Sequence, residues 1–429
     1  MRTRPTRPTA PSASTRPTRP LVRLPGVGFR CAGRSSRKSV SRLVGLLSPG
    51  RRGDDYRRES VGGVSVDDLG IRSDPERVET EWMARVLDAA GFAHGARLTE
   101  CRFGGYVGTG QTGCNARFHL TWDEPAGRSG ERPATVMGKF PSRDATARAT
   151  GFGGSAYITE WNFYRNIAPT LRVRAPHCYL SAFDGDAQEF CLIMEDLAGS
   201  EQGDHFIGLN DDELALAIEQ AVLLHGPRWG DATLDVSWPQ PSTEDERSER
   251  LAMLYGFLLP AFLDRLGSRL DAAIVGVVND FAPLVGRWAR GTGTPLTVAH
   301  YDFRPDNFLF ARTPTAPPLV VVDWQTVNQG LGMVDVAYVI ASSYSPGDRP
   351  RERDLVAEYH QRLSATGVSY SFDDCWRDYR FGALWGLIIT VLATSMAAQT
   401  ERGDELFVRM ASQYGYQSLE LDSLELLRT

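Results

Sequence analysis

Two short runs hold the residues best suited to chemistry. The first is His300-Tyr-Asp302-Phe-Arg304-Pro-Asp306-Asn307, the pattern H-x-D-x-x-x-x-N, with an apolar segment on each side. The second is Leu319-Val-Val-Val-Asp323-Trp324-Gln325, an apolar run that ends abruptly in a carboxylate. Phosphoryl transfer from Mg·ATP asks for such a set. One carboxylate accepts or orients the acceptor hydroxyl, and an amide oxygen with a second carboxylate holds magnesium against the phosphates. Magnesium takes oxygen donors and keeps several waters, so few protein ligands are enough. Asp302 is the candidate base, and Asn307 and Asp323 are the candidate metal ligands. Singly, each has a bland reading, because Asp and Asn are common turn formers.

Two upstream features fall in the order this chemistry needs. Gly108-Thr-Gly110-Gln111-Thr112-Gly113 matches G-x-G-x-x-G. A dinucleotide fingerprint would be followed by a helix. Here Ala116, Phe118, Leu120 and Trp122 alternate with polar residues, so a half-buried strand follows. A glycine loop between two strands suits backbone N–H groups approaching phosphate oxygens; a plain flexible hairpin is the bland alternative. Gly138-Lys139-Phe140 is not a P-loop, since Pro133 stands where the first glycine belongs and Phe140 replaces Ser or Thr. Lys139 sits instead in the apolar strand "ATVMGKF", where a lysine is costly to bury unless paired or snorkelled to solvent. Glu160, on a helical segment downstream, is its natural partner. Lys38 and Lys139 are the only lysines, so Lys139 stands out in a chain that otherwise uses arginine.

The elements that must position these groups follow from composition and pattern. The chain has 429 residues, 42% hydrophobic and 23% charged, with a formal net charge of -6. That length supports two or three domains and a sizeable core. The charge balance excludes a strongly basic nucleic-acid binder. Residues 1–53 hold 13 of the 47 Lys and Arg and no Asp or Glu, and read as a basic, disordered tail. A transit peptide or a start placed too early are the other readings of it. Phe381–Ala398 is uncharged over 18 residues, the lower limit of a membrane span. Diluted by Gly, Thr and Ser, it reads as a buried helix. The six cysteines form no C-x-x-C pair and read as reduced, mostly buried side chains of a cytoplasmic protein.

From Asp74 to Gly91 an amphipathic helix is expected, with Val78, Trp82, Val86 and Leu87 on one face. Strands follow near 98–103, 115–122 and 134–140, then a helix ending at Pro169 and the strand "EFCLIMEDL". After residue 198 helical patterns dominate, at about 247–270, 272–290, 351–366, 373–398 and 402–425, interrupted by the β-rich stretch that carries both chemical runs. The expected class is α+β: a small β-rich lobe with its leading helix (54–197), a larger helical lobe (198–429), and a cleft between them.

The segments "GTGQTGCNARFHLTW", "VMGKF", "TEWNFYRNIAP", "CLIMEDL", "LLHGPRWGD", "HYDFRPDN" and "VVVDWQ" resemble the aminoglycoside phosphotransferase and choline kinase superfamily, and within it the ecdysteroid-kinase-like (CHK-kinase-like) branch. The resemblance covers roughly residues 75–400. It implies a protein-kinase-like two-lobe fold and an ATP- and Mg-dependent transfer of the γ-phosphate to the hydroxyl of a small-molecule alcohol. It also implies that Lys139 contacts ATP phosphates and pairs with Glu160. Glu195, Asp196 and Leu197 would form the hinge beside adenine through backbone groups. His300 would orient the catalytic loop, and Asp335 would support it structurally. Arg304 and Asp306, inside the loop, would face either the acceptor or the γ-phosphate. One departure stands out: the family usually has Gly after the first His, where this chain has Tyr301.

Three other functions compete with this one. A nucleotide-binding pseudokinase would normally lack the base, the Lys or the metal Asp, and none is missing. A protein kinase would show an A-P-E-like end to an activation segment after "DWQ", and none is present. An aminoglycoside or choline-type kinase would take a cationic acceptor, which the acidic body would suit. The aromatic residues Trp376, Tyr379 and Trp385 would suit an apolar, steroid-like alcohol, or would simply pack the core. No nucleic-acid partner and no membrane span are expected.

Overall fold

The computed structural model describes residues 69–93, 95–108, 113–123, 132–234, 244–397 and 399–428. The basic tail, and Gly110, Gln111 and Thr112 of the glycine loop, lie outside them.

Five strands build the first part: β1 (Arg97–Val107), β2 (Gly113–Asp123), β3 (Thr135–Pro141), β4 (Cys178–Asp184) and β5 (Glu189–Glu195). They form one antiparallel sheet in the order β1-β2-β3-β5-β4. The alternation read in β2 holds: Ala116, Phe118 and Leu120 are buried, and Trp122 is half-buried. This face packs on helix α1 (Thr80–Ala89), which buries Trp82, Met83, Val86 and Leu87 to make a core of its own. The leading helix starts later than expected. Residues Pro75–Arg77 form a separate 3-10 turn capped by the Asp74 carboxylate, and Val78 ends that turn.

Two short helices bring the next segment across the sheet, α2 (Ala145–Gly153) and α3 (Ala156–Asn162). Directly after α3, residues Phe163–Ile167 widen into a π-helical turn, a form found mostly as single-turn insertions near functional sites. A 3-10 turn through Pro169 then ends the segment.

The rest is mostly helical. Helix α4 (Asp211–His225) starts at a capping box between Asn210 and Glu213. Helices α5 (Glu244–Leu266), α6 (Ala272–Phe281), α7 (Val285–Trp288), α8 (Met333–Ser343), α9 (Glu352–Ala365), α10 (Phe372–Gly382), α11 (Leu384–Met396) and α12 (Glu401–Glu420) pack around a second, larger core. Every residue of α8 is buried. Two small antiparallel sheets lie within: β7 (Thr297–Ala299) with β10 (Asn328–Gly330), and β6 (Ser200–Gln202) with β8 (Phe308–Ala311) and β9 (Leu319–Val321). The His300–Asn307 segment joins β7 to β8, and Asp323 follows β9. The class is the expected α+β: an antiparallel sheet with its helix, followed by a mostly helical part.

The pattern at 373–398 is not one helix. It breaks at Ala383, which ends α10 and opens α11. At Gly382 a Cβ would stand 2.7 Å from the Met333 carbonyl oxygen, so α8 runs against the bare backbone there. The apolar stretch is therefore interior, and no described helix is long and apolar enough to cross a membrane. Cys191 and Cys375 are buried, whereas Cys101, Cys114 and Cys178 are only half-buried, and all five are free thiols.

Candidate active site

Lys139 leaves β3 on the face opposite the α1 core. Its Nζ lies 2.7 Å from Glu160 Oε2 and 2.9 Å from Asp323 Oδ1. Glu160 is brought by α3, and Asp323 by the turn after β9. Burial opposes the lysine's charge, but Asp323 and then Glu160 outweigh it and raise its pKa. Glu160 is fully enclosed, and burial lifts its carboxyl to about 6 against the pull of Lys139. Asp323 ends up lowered: burial works against its charge, and Lys139, with help from Arg304, overcomes it. The two carboxylates share one cation yet shift in opposite directions: the charge of Asp323 also raises Glu160, whereas Arg304 also favours ionised Asp323.

The glycine loop ends beside this lysine. A Cβ on Gly113 would stand 3.6 Å from Lys139 Cε, and Gly108 has φ +72, a left-handed backbone that glycine adopts without strain.

Asp323 itself has φ +65. Most side chains are disfavoured there, an aspartate less than most. The turn is held by its neighbours. Trp324 stacks flat on Phe163 of the π-helical turn at 3.9 Å, and its indole N–H donates to the Val321 carbonyl at 3.1 Å. The widened turn after α3 thus seats the tryptophan that follows the carboxylate.

The His300–Asn307 segment is fixed at its base by Asp335 of α8. This buried carboxylate accepts from the backbone N–H of His300 at 2.6 Å and of Tyr301 at 2.8 Å. The imidazole of His225, at the end of α4, also reaches it at 3.2 Å, and Tyr359 OH stands 2.8 Å from the other ring nitrogen. His300 is wholly buried. Its Nε2 faces the Val322 carbonyl at 3.1 Å and must donate, which leaves Nδ1 to accept from the Asp302 backbone N–H at 3.2 Å.

Within the loop, Asn307 donates its amide to both the carbonyl (2.7 Å) and the Oδ2 (2.8 Å) of Asp302. Arg304 places Nε 2.9 Å from Asp302 Oδ1 and its other end 3.2 Å from Asp306 Oδ2. Burial works against this guanidinium, but Asp302 and Asp306 hold it protonated. Both Asp302 oxygens are therefore oriented by neighbours.

The donor chemistry fits magnesium. With its nitrogen committed to Asp302, Asn307 has its carbonyl oxygen left, and Asp323 offers a carboxylate; both are hard oxygen donors. Among the described residues no group of three or more His, Cys, Asp or Glu gathers for a metal. Magnesium does not need one, since waters and phosphate oxygens complete its shell.

At the 195–197 segment, Glu195 pairs with Arg174 at 2.5 Å, and Asp196 takes a forked contact from Arg117 of β2 at 2.6 and 3.0 Å. With both side chains spent on arginines, the backbone is what this segment can offer a base. Leu197 is half-buried beside it. Sequence reasoning missed Arg117, Arg174, His225 and Trp324. Arg117, His225 and Trp324 lie inside segments that carried the family resemblance, but nothing local marks Arg174. Of the three aromatic residues considered for the acceptor, Tyr379 is buried and bonded to Glu352, and Trp376 stacks on it. Trp385 alone reaches the loop, donating to the Tyr301 carbonyl at 2.8 Å.

Solved structures similar to this chain include a putative aminoglycoside phosphotransferase from Ralstonia eutropha JMP134, at 16% identity and TM-score 0.48, covering 79% of this chain and 98% of that one. A choline kinase from Cryptosporidium parvum follows at 12% identity and TM-score 0.46, covering 76% and 91%. An ethanolamine kinase from Plasmodium vivax has 13% identity and TM-score 0.45, covering 76% and 82%. No curated protein matches. Residues 157–370 match the model of the phosphotransferase enzyme family, a span that opens just before Glu160 and takes in residues 195–197, the 300–307 loop and the Asp323 turn.

Proposed function

We propose that this protein is an ATP- and Mg-dependent small-molecule O-phosphotransferase that moves the γ-phosphate to the hydroxyl of an alcohol. The observation that carries the reading is the convergence of Lys139, Glu160 and Asp323 beside a loop in which Asn307 and Arg304 orient both oxygens of Asp302.

Asp302 accepts the proton of the acceptor hydroxyl as the new O–P bond forms and the bond to ADP breaks. Lys139 supplies a compact positive charge to phosphate oxygens while Glu160 holds its direction. Asn307 and Asp323 would hold magnesium, which neutralises the developing phosphate charge when bound. Gly108, Gly110, Gln111, Thr112 and Gly113 cover the phosphates, and Glu195–Leu197 meet adenine through the backbone. His300 sets the loop's shape from behind.

For the acceptor, the half-buried Tyr301 and Trp385 beside Asp302 favour an alcohol with an apolar body, steroid-like compounds among them. The free thiols suit a reducing, cytoplasmic setting.

The test is a mass-spectrometric screen for phosphorylated product with Mg·ATP and a panel of steroids, aminoglycosides, choline-like amines and sugars. Asp302→Asn runs alongside and should lose about 10²–10⁴-fold in rate, the worth of a positioned base. Nucleotide binding with no transfer to any alcohol would leave the pseudokinase as the better reading.

A further inference from the structure

Tyr301, the residue before the candidate base, has φ +64. A side chain is disfavoured there, and strained residues persist only where their surroundings over-determine them, which happens most at functional sites. Three distant segments hold this one. Asp335 accepts its N–H, and Trp385 donates to its carbonyl and meets its ring edge-on at 4.9 Å. The third is β10: a Cβ on Gly330 would stand 1.9 Å from the Tyr301 hydroxyl. The strand thus lacks a side chain where the phenol lies. Tyr301 as a residue is only half-buried, and it directly precedes Asp302 in the chain. Behind it Trp385 stacks on Trp288 at 5.9 Å, and Trp288 on Phe381 at 5.6 Å, so the ring has a firm backing.

Resting on the kinase reading, we infer that Tyr301 determines which hydroxyls the enzyme accepts. Its ring takes up space next to the base and limits the bulk allowed on the carbon that bears the reacting hydroxyl. The class selected is the unhindered alcohol. On an acceptor with several hydroxyls, the least crowded one is phosphorylated.

The test uses three probes with one apolar body and rising substitution at the carbinol carbon: cyclohexylmethanol, 1-cyclohexylethanol and 2-cyclohexyl-2-propanol. They are assayed with Mg·ATP beside the broader alcohol panel. One methyl in an apolar site is worth about 10–200-fold. The primary-to-secondary ratio of kcat/KM should therefore fall by about tenfold or more in Tyr301→Gly. It should hold in Tyr301→Phe, which keeps the ring. If Tyr301→Gly does not fold, Tyr301→Asn, which tolerates left-handed backbone, serves in its place. Gly330→Ala gives a readout independent of any acceptor: it should lower the unfolding midpoint when Tyr301 is present and not in the Tyr301→Gly background. An unchanged ratio with transfer intact would overturn the inference. So would transfer to none of the three probes, and in that case transfer to other alcohols in the panel would show that the kinase reading survives.

Discussion

Lys139 and Arg304 each stand between two carboxylates, but they gather them differently. Lys139 draws Glu160 from α3 and Asp323 from the turn after β9, partners 21 and 184 residues away. Arg304 draws Asp302 and Asp306 from its own loop. The arginine therefore shapes one loop wherever that loop sits. The lysine's contacts exist only when the antiparallel sheet and the helical part are docked on each other. The side-chain types match the tasks. A planar guanidinium reaches two carboxylates from fixed directions, whereas an ammonium is a compact charge that can also serve a phosphate.

The largest effect should come from the lysine. Lys139→Met leaves Glu160 buried and Asp323 beside it with no cation between them. Breaking a buried pair from one side costs about 3–5 kcal/mol, measurable by urea unfolding. Phosphoryl transfer should fall further than in any arginine variant, since both the phosphate contact and the docking of two regions are lost. If transfer survives within a few-fold, the lysine is structural only and the contrast collapses.

Arg304→Met should cost less. It removes one charge-assisted contact from Asp302, worth about 1.5–3 kcal/mol, or roughly tenfold to hundredfold in kcat. Arg304→Lys should recover only part of this, because an ammonium cannot fork between Asp302 and Asp306. Full recovery would mean that charge alone matters in the loop, and the distinction between the two cations would be lost.

The smallest effect is one of pH. Glu160 has its pKa raised from 4.5 to about 6 by burial. Between those values the folded chain keeps a proton that the unfolded chain has released. Its contribution to stability therefore falls as pH rises through that window. Asp323 runs the other way: its pKa is lowered from 3.8, so its contribution is retained above that value and lost only in stronger acid. From pH 4.5 to 6, then, the native protein should lose stability relative to Glu160→Gln. A flat difference in unfolding midpoint across this range would show that Lys139 keeps Glu160 ionised throughout.

The loop "HYDFRPDN" and the apolar run into Asp323 were legible in the sequence because their chemistry is local: the residue types and spacing lie within a few positions. The alternation of β2 was legible for the same reason. β4 was missed because a register shift between Cys178 and Leu180 breaks its period-two pattern. α2 was missed because it buries only Gly151 and so has no apolar stripe. The break at Ala383 was missed because the chain has no polar or proline signal there, and only the approach of α8 to Gly382 distinguishes two helices from one.

The sequence by itself determined which groups are present and in what order: one lysine in a strand, one glutamate in a helix, an Asp and an Asn in a loop, an Asp at a strand end. It also determined the apolar patterns that make an antiparallel sheet precede a helical part. Tertiary structure decided the rest. It placed Asp323 against Lys139, set the protonated nitrogen of His300 through the Val322 carbonyl, and held Tyr301 and Asp323 in left-handed backbone. Local propensity opposes a positive φ, strongly in Tyr301 and mildly in Asp323, and distant segments, Asp335, Trp385 and Phe163 with Trp324, supply contacts that outweigh it.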